Sequence, residues 1–152
     1  MRAHAHIIFG IAVLFVAAQA VNRPSTLPAS AGRIQRSDKV PASVQAVVGR
    51  SCKDCHSAET AWPWYSRIAP VSWLVERDVR GGRKRLDFTK WAAVDSKGPT
   101  LGEVEEICGA ASSGDMPPAP YRFMHPNSKL TSEDVAVFCQ WADQLSKSAS
   151  SR

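Results

Sequence analysis

From Val40 onward the apolar positions recur at three- and four-residue spacings, and no segment alternates convincingly as a strand would. Pro41 suits a first helical turn, and Val44, Val47 and Val48 behind it form one stripe, predicting a helix that runs directly into Cys52. Pro70 opens a second predicted helix, with Val71, Leu74, Val75 and Val79 inward and Gly81-Gly82 ending it. Thr100 caps a third, whose inner face is Leu101, Val104, Ile107, Cys108 and Ala111 and whose end lies near Gly114. Thr131 opens a fourth, with Val135, Phe138, Cys139, Ala142 and Leu145 on one side; Glu133 and Asp134 sit in its first turn, where the helix dipole favours negative charge. The expected class is all-α: a small helical domain over residues 40–147 with long aromatic loops.

The N-terminus follows a different pattern. Arg2 precedes an apolar run from Ile7 to Ala18, and Ala18-Gln19-Ala20 has the form of a signal-peptidase site. A helix of roughly 15 residues reaches only ~22 Å, short of a ~30 Å hydrocarbon core, which suits a signal peptide. Adding Ala3 to His6 lengthens the run enough for an uncleaved membrane anchor, so residues 1–21 carry both readings. His4 and His6 belong to this segment and are not read as metal ligands. Residues 22–39, rich in Pro, Ser and Arg and without apolar periodicity, read as a linker. Either N-terminal reading exports the domain, to the periplasm or the periplasmic face of the inner membrane.

Residues 52–56 read Cys-Lys-Asp-Cys-His. This C-x-x-C-H spacing matches covalent attachment of a c-type haem, one per chain, with Cys52 and Cys55 as thioether anchors and His56 as proximal iron ligand. Zinc ribbons and thiol oxidoreductases share C-x-x-C. A zinc site would have to recruit Cys108 and Cys139, which are not a closely spaced pair. A dithiol oxidoreductase would need a strand–motif–helix context that the pattern lacks.

For the sixth iron position the candidates are Met116, Met124 and His125. Met116 precedes Pro117-Pro118, which stiffen the backbone and can hold a thioether toward iron from a loop. Thioether ligation raises the potential, as in electron-carrying cytochromes, whereas a second histidine, His125, would lower it. Cys108 and Cys139 both fall on apolar helix faces, and in an oxidising compartment two such cysteines pair readily. Closing their 31-residue separation contributes roughly 3–4 kcal/mol by the chain-entropy model.

Trp62, Trp64, Tyr65, Trp73, Trp91, Tyr121 and Phe123 are expected, as a group, to line the pocket and exclude water from the iron. The formal net charge of +5 favours an acidic redox partner or a membrane surface, and no nucleic-acid motif is present. Arg77, Arg80, Arg83, Lys84 and Arg85 form a basic cluster, read either as a solvated helix face or as a source of propionate partners or a docking patch. Asp54 and Asp115 read as solvated loop carboxylates. No nucleophile–base pair or carboxylate constellation points to hydrolysis.

The chain also carries a longer resemblance. Cys52 to His56 followed by Ser57, then Trp62-Pro63-Trp64-Tyr65-Ser66, Ile68-Ala69-Pro70-Val71-Ser72-Trp73-Leu74 and Met116-Pro117-Pro118, is similar to the small exported bacterial haem-binding domain proteins. The similarity runs from about Val40 to Trp141, and Tyr121 and His125-Pro126 also look like family positions. The resemblance implies a mono-haem c-type domain behind an N-terminal signal or anchor, with Cys52, Cys55 and His56 as haem-binding residues. It implies no defined reaction, and the Cys108–Cys139 pairing is not part of it. A periplasmic electron carrier is therefore the first functional expectation. A haem-based sensor or small oxidoreductase with an open distal site is the second, and a non-haem zinc or dithiol domain the third.

Overall fold

The computed structural model describes residues 2–21, 38–91 and 97–151. Most of the expected linker, residues 22–37, lies outside the described residues. Helices α1 (Arg2–Val21), α2 (Ala42–Ser51), α3 (Lys53–His56), α4 (Val71–Arg85), α5 (Phe88–Trp91), α6 (Leu101–Ser113), α7 (Ala119–Met124) and α8 (Ser132–Ser150) account for the fold, with 3-10 turns at Trp64–Arg67 and Pro126–Ser128. Among the described residues there is no strand, and the molecule is all-α.

Helices α6 and α8 start where capping chemistry dictates. Thr100 accepts from the Glu103 N–H while Glu103 accepts from the Thr100 N–H, and Thr131 and Asp134 do the same for α8. Each reciprocal pair satisfies two backbone donors that the first turn leaves orphaned. Helix α6 ends at Gly114, whose φ of 76° is the left-handed conformation a glycine adopts without strain.

Val44, Val47 and Val48 of α2 pack with Phe88, Trp91, Val104, Phe138 and Trp141 into one core. Helices α6 and α8 lie against each other and carry the disulfide between Cys108 and Cys139, whose Cα atoms are 4.9 Å apart. Asp134 reaches past its own cap to the Arg50 guanidinium at 2.5 Å, tying the start of α8 to the turn of α2 that precedes Cys52.

Helix α4 departs from expectation in two ways. It does not end at Gly81-Gly82 but continues to Arg85. Its buried side chains are Ser72 and Val79, whereas Val71 and Leu74 are exposed. Helix α4 packs against α3 at Gly82 and against the Trp64–Arg67 turn, burying Ser72 and Val79 while Val71 and Leu74 stay at the surface.

Helix α1 stands apart from the core. From His4 to Ala17 every residue is exposed, and only Ala18 and Gln19 are half-buried. Among the described residues no helix is long and apolar enough to cross a membrane.

Candidate functional site

Helix α2 delivers the chain into Cys52, whose N–H still bonds the Val48 carbonyl, and the one-turn helix α3 follows at once. This tight sequence of turns places Cys52, Cys55 and His56 on one wall of an apolar cavity of about 410 Å³. Leu86 and Phe88 continue that wall, Ile107 and Ala111 come from α6, and Phe138 from α8. Met116, Pro117 and Pro118 close another side.

His56 is oriented by its own hydrogen bond. Its Nδ1 lies 3.0 Å from the Leu86 carbonyl oxygen, to which a protonated Nδ1 donates. Such a bond selects the tautomer that leaves Nε2 free as a metal ligand. Burial pushes the Cys52 thiol up to about 12, with the neighbouring Cys55 adding to the effect, and pushes Cys55 up to about 11. Both sulfurs therefore rest as neutral thiols.

Two features of α4 shape the floor beneath this turn. A Cβ on Gly82 would stand 2.6 Å from the Cys55 carbonyl oxygen, so only glycine lets α4 approach this closely. A Cβ on Gly81 would meet no protein atom within 4 Å, and Gly81 lines the cavity. Arg83 then locks α4 to the chain beyond the motif, donating to the Ser57 carbonyl at 2.7 Å and the Thr60 hydroxyl at 2.8 Å.

The Met116–Pro118 part of the lining is held by the segment after α6. The Arg122 guanidinium donates to the Gly114 carbonyl at 3.0 Å and to the Pro117 carbonyl, and the Met116 N–H donates to Ala110. These bonds fix the backbone around Met116. The peptide bond from Met116 to Pro117 is cis.

A second cluster ties the two sides together. Tyr121 lines the cavity and its hydroxyl donates to Asp54 at 2.8 Å, inside the Cys-Lys-Asp-Cys-His turn. Tyr121 stacks on the His125 ring with centroids 4.3 Å apart, and His125 Nε2 meets the Tyr65 hydroxyl at 2.7 Å. Burial, then the bond to Asp54, raises the Tyr121 pKa, so its hydroxyl stays a donor.

His125 thus does not line the cavity; its Nε2 is already engaged by Tyr65, and Met124 is likewise outside the lining. Asp54 is not a solvated loop carboxylate, since it accepts from both Tyr121 and the Ala61 N–H. Sequence reasoning missed this pair because nothing local links positions separated by 67 residues.

The aromatic expectation needs correction. Of the seven aromatics expected to line the pocket, Tyr121 does so; Trp91 is buried against Trp141 in the core, and Trp64, Trp73 and Phe123 face outward. Beside Tyr121, the aromatic side chains that line the pocket are Phe88 and Phe138. A four-sulfur site is also dismantled, because Cys108 and Cys139 are bonded to each other while Cys52 and Cys55 stay free.

Residues 8–144 match the haem-binding domain family. The chain belongs to that family. The match spans the cavity, the Met116 loop and most of α8, and it begins within α1. No curated protein and no solved structure matches the chain. Haem is the cofactor of this haem-binding domain, and the residues present fit it: an apolar cavity, an imidazole with one free ring nitrogen, two adjacent thiols and a glycine where a side chain would intrude.

Proposed function

We propose that this haem-binding domain is a mono-haem c-type cytochrome that carries electrons on the periplasmic side of the bacterial inner membrane. Cys52 and Cys55 are its thioether anchors, His56 its proximal ligand and Met116 its distal ligand. One observation carries the reading: the two thiols, the oriented imidazole and the Met116 loop all line a single apolar cavity. Bound haem supplies an iron that exchanges one electron between two oxidation states. The protein's part would be to supply His56 and Met116 to the iron and to exclude water, which would raise the cost of the extra charge on ferric iron.

Arg77 and Arg85 also line the cavity, although each already meets a carboxylate: Arg77 with Asp78 at 3.4 Å and Arg85 with Glu106 at 2.5 Å. Both pairs are exposed enough to exchange partners at little cost, so the arginines are the candidates for the haem propionates. With a net charge of +5, an acidic redox partner fits the surface.

Expression in a host competent for c-type maturation tests the attachment. The expected product keeps its colour through acid–acetone extraction, gives a c-type pyridine haemochrome, and has the mass of chain plus porphyrin. A colourless chain at peptide mass sinks the proposal. A second reading, a sensor or small oxidoreductase with an open distal site, is favoured by the 42% exposure of Met116. Rapid carbon monoxide binding by the reduced protein would select it. A far-red charge-transfer band in the ferric form, lost in Met116→Ala, would select the electron carrier.

A further inference from the structure

The structure leaves a second apolar surface that the haem cavity does not use. Trp64 is 73% exposed, and Ile68, Val71, Trp73 and Leu74 are exposed after it, from the 3-10 turn at Trp64–Arg67 through Ile68, which caps that turn, to the first turn of α4. Five large apolar side chains in eleven residues exceed the scattered single exposures of an ordinary surface.

What lies against this face is the foot of α1. Gln19 uses both ends of its amide there: its nitrogen donates to the Phe15 carbonyl at 2.9 Å, and its oxygen accepts from the Ala69 N–H at 2.9 Å. Ala69 is buried, between exposed Ile68 and the start of α4. Above that foot, Ile7, Phe9, Ile11, Leu14 and Val16 expose apolar side chains on several faces of the helix, and no Asp, Glu, Lys or Arg occurs from Ala3 to Ala20. A helix apolar all round needs an apolar medium rather than one packing partner.

We propose that the Trp64–Leu74 face rests in the interfacial layer of a phospholipid bilayer, with α1 retained and immersed beside it. Tethering at Gln19 sets the face at the depth where α1 passes from lipid to water. Tryptophan prefers that depth, because its ring is apolar and its N–H remains near water. Exposed Arg67, inside the patch, is placed for a phospholipid phosphate. Immersion of α1 is required; a full span is not. The inference does not depend on haem attachment.

The test uses the full chain in vesicles of phosphatidylcholine and phosphatidylglycerol carrying a phospholipid with a diazirine on its acyl chain. After illumination, mass spectrometry maps the adducts. Expected are adducts on α1 and on Trp64, Ile68, Trp73 and Leu74, with none on Phe123, which is 84% exposed on α7 and serves as the internal control. Adducts confined to α1, as when a protein partner or a second copy covers the face, overturn the proposal. So do equal labelling of Phe123, or a chain that stays off the vesicles. In Trp64→Ser/Leu74→Ser the adducts on the remaining patch residues should fall several-fold while those on α1 persist; unchanged patch labelling also overturns it.

Discussion

Cys52 and Cys55 hold protons more tightly in the folded chain than an ordinary cysteine does, mainly because burial disfavours the thiolate. The stability that follows is fully present below the ordinary thiol pKa near 9.0, where both folded and unfolded thiols are neutral. It is lost as pH rises toward about 11 and 12, because the unfolded chain ionises first. The haem-free protein should therefore lose on the order of 2 kcal/mol more than its Cys52→Ala/Cys55→Ala variant between pH 9 and 11, measured by urea unfolding. A haem-loaded protein with both sulfurs in thioethers should not show this difference, because a thioether has no proton to lose. At the same scale, Tyr121→Phe removes the hydroxyl that donates to Asp54. It should cost roughly 1–2 kcal/mol and leave the haem spectrum intact. His125→Ala should likewise keep the far-red band, since His125 faces Tyr65 rather than the cavity. Loss of that band in His125→Ala, with Met116 present, would restore His125 as the ligand.

At the scale of elements, the glycines of α4 and the caps of α8 give opposite lessons. Gly82 is where α4 touches the Cys55 backbone, and a methyl group there must push helix and motif apart. Gly82→Ala should lower the yield of haem-loaded protein several-fold in the same maturation host. Gly109→Ala in the middle of α6 meets nothing within 4 Å and should raise stability by roughly 0.5–1 kcal/mol, as alanine does in a helix interior. Asp134 is a different kind of anchor. Burial alone would raise its pKa, but bonds from the Thr131 backbone and side chain, together with Arg50, hold it below the ordinary range. Its stabilisation is present above the usual carboxylate pKa and is lost as pH falls through the depressed value. Asp134→Ala should cost about 1–2 kcal/mol by urea unfolding at pH 7, and the difference should shrink in acid.

Across the whole molecule, haem and disulfide share two helices but act through different groups. The disulfide joins α6 to α8 through Cys108 and Cys139, neither of which lines the cavity, whereas Ile107, Ala111 and Phe138 of the same helices do. Cys108→Ser/Cys139→Ser should lower stability by roughly 2–4 kcal/mol while leaving covalent haem in place. Haem loss should matter more widely, because a ligand bound only by the folded state stabilises every element that lines its site.

Composition and spacing alone determined the all-α class, the starts of α2, α4, α6 and α8 and the motif at 52–56. Those features rest on local physics: helical period, caps, proline stops and a five-residue chemical signature. Tertiary structure decided which aromatics meet the cavity, that Gly82 is a close contact inside α4 rather than part of its end, and that His125 and Asp54 belong to one tyrosine cluster. Each of these depends on which distant surface an element meets, and periodicity along a single helix carries no information about its partner.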